Sequence, residues 1–447
     1  MTRAAAPRGN TAAGGIAFPH APFSNELWSS PMSSPTPPGT TTEAPAAGRA
    51  PAEHAGVPRH LRWTILLLAF ACGASVANLY YAQPLLGALG RAFSVSQGTA
   101  TVIVTVTQVG YALGLAFFLP LGDLLENRRL AWRTLLVTAA GLAVAAAAPD
   151  FWVFLAMSVL VGVTSVVAQV LVPLAAHLAP AHMRGRLVGQ VMSGLLLGIM
   201  LARSVSSFAA AAWGWRSIYA ISAGVMLLTA VLLARMLPRR EPEHAAGYGS
   251  LLVSVAMLAR TQPVLIRRAL TQAAMFGAFT AYWTAISYQL ADRHHLSQNG
   301  IAVFALVGAA GAVAAPVAGR LGDAGHGPVA RAAAIVLGAG AMVLAGLGAG
   351  SVVLLAVAAI LLDFAVQGHQ VLSQRDIYAL APTARARVNS VYMTSVFLGG
   401  AVSSAATGAV HTAWGWRGVT FMGVLFTLAA LTVRCTERTP ARAATAA

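Results

Sequence analysis

The sequence has very little charge and no lysine at all. Charged residues make up 9% of its 447 positions, whereas an ordinary soluble domain carries about 25%. Every basic residue is arginine, and the arginines outnumber the acids so far that the formal net charge is +16. Hydrophobic residues make up 57% of the chain. This composition excludes an ordinary soluble domain and indicates a protein embedded in a membrane.

The sequence is also poor in groups that carry covalent or metal chemistry. Its two cysteines, Cys72 and Cys435, lie far apart without metal-ligand company, so we expect no disulfide between them. The adjacent pair His294-His295 is a poor metal cage without further ligands. No glycine-rich phosphate loop with a following lysine is present, which argues against ATP-driven pumping. The sequence therefore predicts no enzyme, no metal and no cofactor.

Long apolar runs are what the sequence does contain. A helix needs about 20 residues to cross a hydrocarbon core of roughly 30 Å. Twelve nearly charge-free runs reach or approach that length. They lie at 64–86, 99–121, 131–149, 151–176, 187–202, 217–236, 269–290, 300–319, 329–349, 351–374, 388–410 and 418–433. The sequence therefore predicts an all-α integral membrane protein with twelve transmembrane helices.

The arginines between these runs predict the orientation. They concentrate before the first run, after the last, and in alternate connections, whereas the other connections hold only Arg91, Arg216, Arg293 and Arg417. Basic residues favour cytoplasmic loops. This pattern places both termini in the cytoplasm, requires an even number of spans, and explains the positive charge without nucleic acid.

The chain repeats itself about 200 positions apart. Leu121-Gly122-Asp123 returns as Leu321-Gly322-Asp323, and Ala212-Trp213-Gly214-Trp215-Arg216 returns as Ala413-Trp414-Gly415-Trp416-Arg417. Halves of this kind are typical of transporters with a central pseudo-symmetry axis. We expect two six-helix bundles, at 59–236 and 268–435, joined by a cytoplasmic linker at 237–267. We also expect a disordered cytoplasmic tail at 1–58 and a second cytoplasmic tail at 436–447.

The two Gly-Asp loops resemble the signature of the major facilitator superfamily, which is close to G-x-L-x-D-R-x-G-R-R. The match is partial, because Leu124 and Asn127 replace basic residues and the second copy loses its basic end. In that family the motif latches the two halves in the outward-facing state. The resemblance implies this role for Gly122, Asp123, Arg128, Arg129, Gly319, Arg320 and Asp323.

The resemblance covers residues from about 60 to 435 and is strongest to bacterial drug-efflux and arabinose-efflux members. The block from Asn78 to Pro84 and the stretch Gln108-Val109-Gly110-Tyr111 carry it. In this fold the first, fourth, seventh and tenth helices line a central cavity. With polar residues of neighbouring spans, the implied cavity set is Asn78, Tyr81, Gln83, Gln108, Gln169, Arg203, Tyr282, Trp283, Gln367 and Gln370. Alternatively, such groups hydrogen-bond between helices as structural glue.

Two charges lie inside predicted spans. An ionised carboxylate in mid-bilayer costs about 2.5–3.5 kcal/mol on insertion scales, so Asp363 is a candidate for the group that takes and releases a proton. The alternative is a static partner for an arginine, a tyrosine or a backbone amide. Arg203, nearer the outer end of its span, either contacts substrate or a helix end, or snorkels to the headgroups.

Two departures weaken drug antiport in particular. Drug:proton antiporters of the superfamily carry Gly-Pro in the fifth helix, where this chain has Gly198-Ile199, and an arginine in the fourth, where it has Ser158. We expect Gly189, Gly194 and Gly198 to flatten one helix face for close packing. The Trp-Gly-Trp-Arg copies are expected to anchor the membrane interface, with glycine making the turn.

The resulting prediction is a monomeric secondary transporter in the bacterial inner membrane that works by alternating access. Its partners are a small-molecule substrate, protons and the lipid bilayer. We expect proton-coupled efflux of small organic molecules, neutral or cationic because Asp363 is the acid of the cavity. The alternatives are a facilitator or importer of sugars or organic acids and, from a different class, a non-transporting membrane sensor. A typical sensor has a large soluble domain, which this sequence lacks.

Overall fold

The computed structural model describes residues 59–180, 183–238, 247–380 and 384–436. Every regular element among them is helical, because a chain crossing lipid must satisfy its backbone hydrogen bonds internally. The first copy of the repeat contains α1 (Arg59–Ala77), α2 (Leu86–Ala92), α3 (Gln97–Ala100), α4 (Val102–Leu113), α5 (Asn127–Ala146), α6 (Phe151–Thr164), α7 (Val167–Leu178), α8 (Arg184–Trp213) and α9 (Arg216–Met236).

The second copy follows a separate linker helix. It begins after α10 (Tyr248–Thr261), which lies in the predicted linker. Its helices are α11 (Pro263–Tyr288), α12 (Gln298–Ala305), α13 (Ala314–Asp323), α14 (Gly327–Leu347), α15 (Val352–Leu380) and α16 (Arg385–Cys435). Short 3-10 or π segments connect several of these helices, at Gln83–Leu85, Gly114–Phe118, Leu119–Asp123, Gln289–Arg293 and Leu306–Val313.

The described residues contain nine helical segments that are long and apolar enough to cross a membrane. A bent pair, Tyr248–Thr261 with Pro263–Arg293, turns by 86° and makes a tenth if counted as one span. The first apolar helix, Leu61–Ala77, is shorter, and α16 runs for 51 residues through a kink. The all-helical, multi-span fold is confirmed, and the count of twelve spans stays a prediction. The predicted tail at 1–58 lies outside the described residues, and so does the predicted tail at 436–447 apart from Thr436.

The chain changes direction at the repeated Trp-Gly-Trp motif through glycine in both copies. Gly214 ends α8 with φ 83°, and Gly415 kinks α16 with φ 60° and ψ −155°. Residues with a Cβ rarely adopt these backbone angles. We call the end of the bundle that holds these glycines the Trp end, and the opposite end, where α13 ends at Asp323, the Asp end.

The four tryptophans of this motif divide into two pairs. Trp213 and Trp414 are 74% and 71% exposed, which is compatible with anchoring at an interface. Trp215 and Trp416 are buried instead. Trp416 donates a hydrogen bond to the carbonyl of Ala345 at 2.8 Å. The anchoring prediction is therefore wrong for the second tryptophan of each copy, which packs inside the protein.

Glycines bring α1 and α8 into backbone contact. A Cβ on Gly194 would lie 2.4 Å from the carbonyl oxygen of Ala69, and one on Gly198 would lie 2.2 Å from that of Gly73. The repeat mate of Gly198 is Gly399, whose Cβ would meet the carbonyl oxygen of Ala273 in α11 at 2.4 Å. Each copy thus pairs its first helix with its fifth by the same device.

Gly189 does not take part in this packing. A Cβ placed there would meet nothing within 4 Å. The expectation that all three glycines of α8 form one packing face is therefore wrong for Gly189. Five residues separate Gly189 from Gly194, which is more than one helical turn, so their faces differ.

Candidate functional site

A buried arginine occupies the interface between the two copies. Arg203, in α8, is 2% exposed. Its guanidinium carbon lies over three aromatic rings, 4.3 Å from the centroid of Trp283, 4.9 Å from Tyr80 and 5.1 Å from Phe279. Cation–π attraction of this kind stabilises a charge removed from water. Since the side chain points inward, its predicted alternative of snorkelling to the headgroups is wrong.

Gln83 holds one edge of this guanidinium. It begins the 3-10 turn that follows α1, and its side-chain oxygen accepts a hydrogen bond from Nε of Arg203 at 2.7 Å. Two neighbouring donors, Nη2 of Arg203 and Nε2 of Gln83, are buried and find no acceptor among the described residues. A buried donor without a partner loses the hydrogen bond it made with water.

The buried carboxylate of the site contacts the indole N–H of Trp283. Asp363, in α15, is 4% exposed, and its Oδ1 accepts a hydrogen bond from Nε1 of Trp283 at 2.9 Å. Gly308 and Gly311 make room for it, since a Cβ on Gly308 would lie 2.9 Å from Oδ2. We call Tyr80, Gln83, Arg203, Phe279, Trp283 and Asp363 the Arg–Asp cluster.

Trp283 connects the two charges of the Arg–Asp cluster. Its ring faces the Arg203 guanidinium, while its indole N–H reaches the Asp363 carboxylate. None of the ion pairs among the described residues joins Arg203 to Asp363 directly. The cluster takes side chains from both copies, so a relative movement of the copies would change it.

Other members of the predicted cavity set contribute to helix packing. Asn78 accepts a hydrogen bond from Ser222 of α9 at 2.7 Å, and Tyr282 donates one to the carbonyl of Leu355 at 2.7 Å. Each bond stays within one copy of the repeat. The alternative of structural glue therefore describes their contacts. Tyr81, three residues after Asn78, is also buried.

Gln169 links the copies nearer the Asp end. It donates to the Tyr111 hydroxyl at 3.4 Å and accepts from Asn389 at 3.3 Å, and Tyr378 donates to Asn389 at 2.9 Å. Tyr111 and Gln169 belong to the first copy, and Tyr378 and Asn389 to the second. This polar chain is a second connection across the interface.

Three further glutamines of the predicted set lie close to the same interface. Gln108, in α4, is buried against α16, where a Cβ on Gly400 would lie 2.4 Å from its side-chain oxygen. Gln367 and Gln370 are partly buried in α15. They follow Asp363 by four and seven residues, so the three share one helix face. That face is a polar stripe from the Arg–Asp cluster toward the Asp end.

The Gly-Asp loops make contacts within their own copies. Arg128 donates to the carbonyl of Ala234, and Arg129 pairs with Glu126 at 2.7 Å. The side chain of Asp123 lies outside the described residues. A Cβ on Gly122 would make only an ordinary van der Waals contact with Val170. The latching of the two copies by this loop stays a prediction.

The second Gly-Asp loop uses a different glycine from the one in the signature. Asp323 pairs with Arg375 at 2.6 Å, with both side chains half exposed or more. A Cβ on Gly322 would lie 2.6 Å from this arginine, whereas one on Gly319 would meet nothing within 4 Å. Arg320 is exposed. Gly322, and not Gly319, is therefore the glycine of this loop that lies against another side chain.

A buried polar cluster within the second copy was missed from the sequence. His369 contacts the side-chain oxygen of Gln272 at 2.6 Å, and Asp376 pairs with Arg268 at 3.3 Å and Arg331 at 2.6 Å. The signal was present, since His369 and Asp376 are two turns apart on one face of α15. Tyr80 and Phe279 were also missed, because aromatic side chains in a span usually indicate packing.

At the Trp end, Gln298 fastens the two copies together. Its Nε2 donates to the Ser207 hydroxyl at 2.6 Å and to the carbonyl of Pro84 at 3.0 Å. Gln97 donates to Asp292 at 3.2 Å close by. These bonds border a cavity of about 340 Å³ that residues of both copies line.

We expect Gln298→Ala to open the Trp end. Losing two hydrogen bonds of about 0.5–1.5 kcal/mol each shifts a two-state equilibrium by up to about a hundredfold. The measurement is the rate at which a membrane-impermeant maleimide labels Gly87→Cys, in the cavity wall, in a Cys435→Ser background. Asn299→Ala, an exposed neighbour, is the matched control. Equal labelling rates in the two variants would contradict a clasp at Gln298.

Comparison with known proteins agrees with this architecture. The family model described as Major Facilitator Superfamily matches residues 65–311 and 268–446. The chain belongs to the major facilitator superfamily. It is therefore a multi-pass membrane transporter, and the family resemblance of its Gly-Asp loops is confirmed.

The chain is similar to two named relatives and to one solved structure. It is 40% identical over 370 residues to a putative uncharacterized transporter, YgaY, of Escherichia coli K12, covering 83% of this chain and 94% of that one. It is 35% identical over 395 residues to a probable transporter, SCO4007, of Streptomyces coelicolor, covering 86% and 91%. The inward-facing crystal structure of a bacterial homolog to the human lysosomal transporter Spinster matches with a TM-score of 0.63 at 13% identity, covering 85% and 96%. That last likeness shows the fold alone.

Proposed function

We propose that this superfamily member exports small organic molecules in exchange for protons by alternating access. The observation that carries the proposal is the position of Asp363. It is a buried carboxylate whose hydrogen-bond partner, Trp283, also stacks on Arg203 of the other copy. Because these contacts join the two copies, a movement of one copy against the other changes the surroundings of the carboxylate and hence its affinity for a proton.

Competition at Asp363 supplies the coupling. A carboxylate buried among apolar helices is costly while it is charged, and it is relieved either by a proton or by a polar group of a bound substrate. If the proton and the substrate cannot occupy the site together, the protein carries a proton in one direction and a substrate in the other as the site alternates between the two sides of the membrane. Protons run inward across an energised bacterial inner membrane, so the substrate moves outward.

The membrane arrangement in this proposal follows the repeat. Two six-helix bundles, 59–236 and 268–435, cross the membrane twelve times in all and are joined by the linker at 237–267. Both termini and the Asp end face the cytoplasm, which is supported by the positions of the arginines. The glycine contacts of α1 with α8 and of α11 with α16 support bundles of equivalent build. The transporter acts as a monomer in the inner membrane.

Alternating access then requires the copies to separate at one end at a time. At the Trp end, separation breaks the bonds of Gln298. At the Asp end, it breaks the bond between Gln169 and Asn389. The Gly-Asp loops hold the Asp end closed while the Trp end is open.

The test is the dependence of flux on the proton gradient. Everted vesicles containing the protein are energised, and a panel of toxic compounds and metabolites is added while a pH-sensitive dye reports the vesicle interior. We expect an active compound to release protons and to accumulate inside, and a protonophore to abolish its accumulation. Accumulation that ignores the protonophore would remove proton exchange and leave facilitation.

A further inference from the structure

The Arg–Asp cluster contains two opposite charges that are buried close together without forming an ion pair. Arg203 and Asp363 both contact Trp283, the first through the ring face at 4.3 Å and the second through the indole N–H at 2.9 Å. Buried charges normally pair directly, because attraction then offsets the cost of removing them from water. Here both charged groups contact the indole of Trp283 instead of each other.

Each charge also has unused hydrogen-bonding capacity. On the arginine side, Nη2 of Arg203 and Nε2 of Gln83 are donors without an acceptor among the described residues. On the aspartate side, Oδ1 accepts from Trp283, and no described residue donates to Oδ2. The arginine side therefore has two buried donors without an acceptor, and the aspartate side has an oxygen to which no described residue donates. A ligand that completes this site presents an anion to the first and a cation to the second.

We propose that the cluster binds a small zwitterion with the chemistry of an α-amino acid. Its carboxylate accepts hydrogen bonds from Arg203 and Gln83, and its ammonium group donates to Asp363 and lies against the aromatic rings. The inference rests on the proposed proton exchange and deepens it. An ammonium group at Asp363 and a proton on Asp363 exclude each other, as exchange requires.

Charge balance favours a zwitterion over a simple ion. With Asp363 ionised, the cluster is neutral overall, and a zwitterion leaves it neutral. A simple organic anion would neutralise Arg203 but meet the Asp363 carboxylate, and a simple cation would do the reverse. An uncompensated charge inside the membrane is costly in either case.

A cavity lies next to the Gln83 turn of the cluster, on the side of the Trp end. The cavity of about 340 Å³ is lined by Pro84 and Ser287. Pro84 is the neighbour of Gln83 in the chain, and Ser287 donates to the Gln83 carbonyl at 3.2 Å. Its volume lies within the range of about 300–1,000 Å³ usual for small-ligand sites. A solute in this cavity is thus separated from the cluster by the Gln83 turn.

The test compares three probes that share one hydrocarbon chain. Leucine carries both charges, 4-methylpentanoate has only the carboxylate, and 3-methylbutylamine has only the ammonium group. A pool of neutral α-amino acids is added, so that the result does not depend on one side chain. Binding to the purified full-length protein is followed by Trp fluorescence and by the shift of its thermal unfolding midpoint. We expect leucine or the pool to bind at least about 30-fold more tightly than either single-charge probe.

Two variants each remove one half of the preference for the zwitterion. In Arg203→Gln the zwitterion is expected to lose its advantage over the amine, and in Asp363→Asn its advantage over the carboxylate. The thermal unfolding midpoint without ligand shows whether each variant is folded. If only one variant folds, its loss of preference for the zwitterion is still a sufficient test.

Tighter binding of either single-charge probe than of the zwitterions, or binding of no zwitterion by the folded protein, would overturn the proposal. These results are distinct from failure of proton exchange. If panel compounds still release protons from vesicles and Asp363→Asn abolishes that release, the exchange stands and only the zwitterion is refuted.

Discussion

Replacing Asp363 with asparagine is expected to abolish proton-driven accumulation of substrate while leaving the protein folded. The asparagine side-chain oxygen still accepts the hydrogen bond from Trp283, so the packing of the Arg–Asp cluster is kept. The amide cannot take up or release a proton, however. One charge moved through 100 mV is worth about 2.3 kcal/mol, which supports a concentration ratio of about 50. We expect this ratio to fall to about one.

The measurement is transport by purified protein in proteoliposomes with an imposed proton gradient. Exchange of labelled for unlabelled substrate, which needs no net proton movement, is recorded in parallel and is expected to be less affected. Asp150→Asn is the matched control, because it makes the same chemical change at the N-terminus of α6, where asparagine caps equally well. Full proton-driven accumulation by Asp363→Asn would eliminate this carboxylate as the coupling group.

Replacing Gly198 with alanine is expected to destabilise the protein strongly, although only one methyl group is added. The new Cβ would lie 2.2 Å from the Gly73 carbonyl oxygen and 2.5 Å from its Cα. These are backbone atoms, which cannot move aside as a flexible side chain can. Overpacking of this kind typically costs about 1–3 kcal/mol, and more where backbone atoms are in the way. The pairing of α1 with α8, which positions Gln83 against Arg203, would be disturbed with it.

Gly189→Ala is the matched control for this prediction because it makes the same change on the same helix in open space. Alanine favours a helix by about 1 kcal/mol over glycine, so this variant is expected to be neutral or more stable. Thermal unfolding of the two variants in detergent measures the difference. Equal unfolding midpoints would refute the backbone contact between α1 and α8. Gly399→Ala is expected to behave like Gly198→Ala.

The predictions from sequence were sound where the signal lies along one stretch of chain. Long apolar runs predicted a helical, multi-span membrane protein, and the Gly-Asp loops predicted the superfamily; both are confirmed. The repeated glycines predicted the turns at Gly214 and Gly415, which the structure shows. Each signal depends on local length, hydropathy or backbone conformation, so neighbouring residues suffice to read it.

The errors arose where a residue's role depends on the direction its side chain takes. Gly189 was grouped with Gly194 and Gly198, but it faces open space. Trp215 and Trp416 were assigned to the interface with their neighbours, yet they pack inside. Helix periodicity gives the relative direction of two side chains, but not which neighbouring helix they meet.

The sequence by itself determined that this chain is a duplicated, helical membrane transporter and that Arg203 and Asp363 are unusual charges inside its spans. Hydropathy, repetition and charge are properties of the chain, so they need no partner to be seen. Only the tertiary structure decided that these two side chains contact the same indole, that Gln83 closes the arginine side, and that Asn78 bonds within its own copy. The contacts of the Arg–Asp cluster come from three separate helices and from the turn that follows α1. Their meeting depends on how each helix is rotated and packed against the others, which no single stretch of sequence specifies.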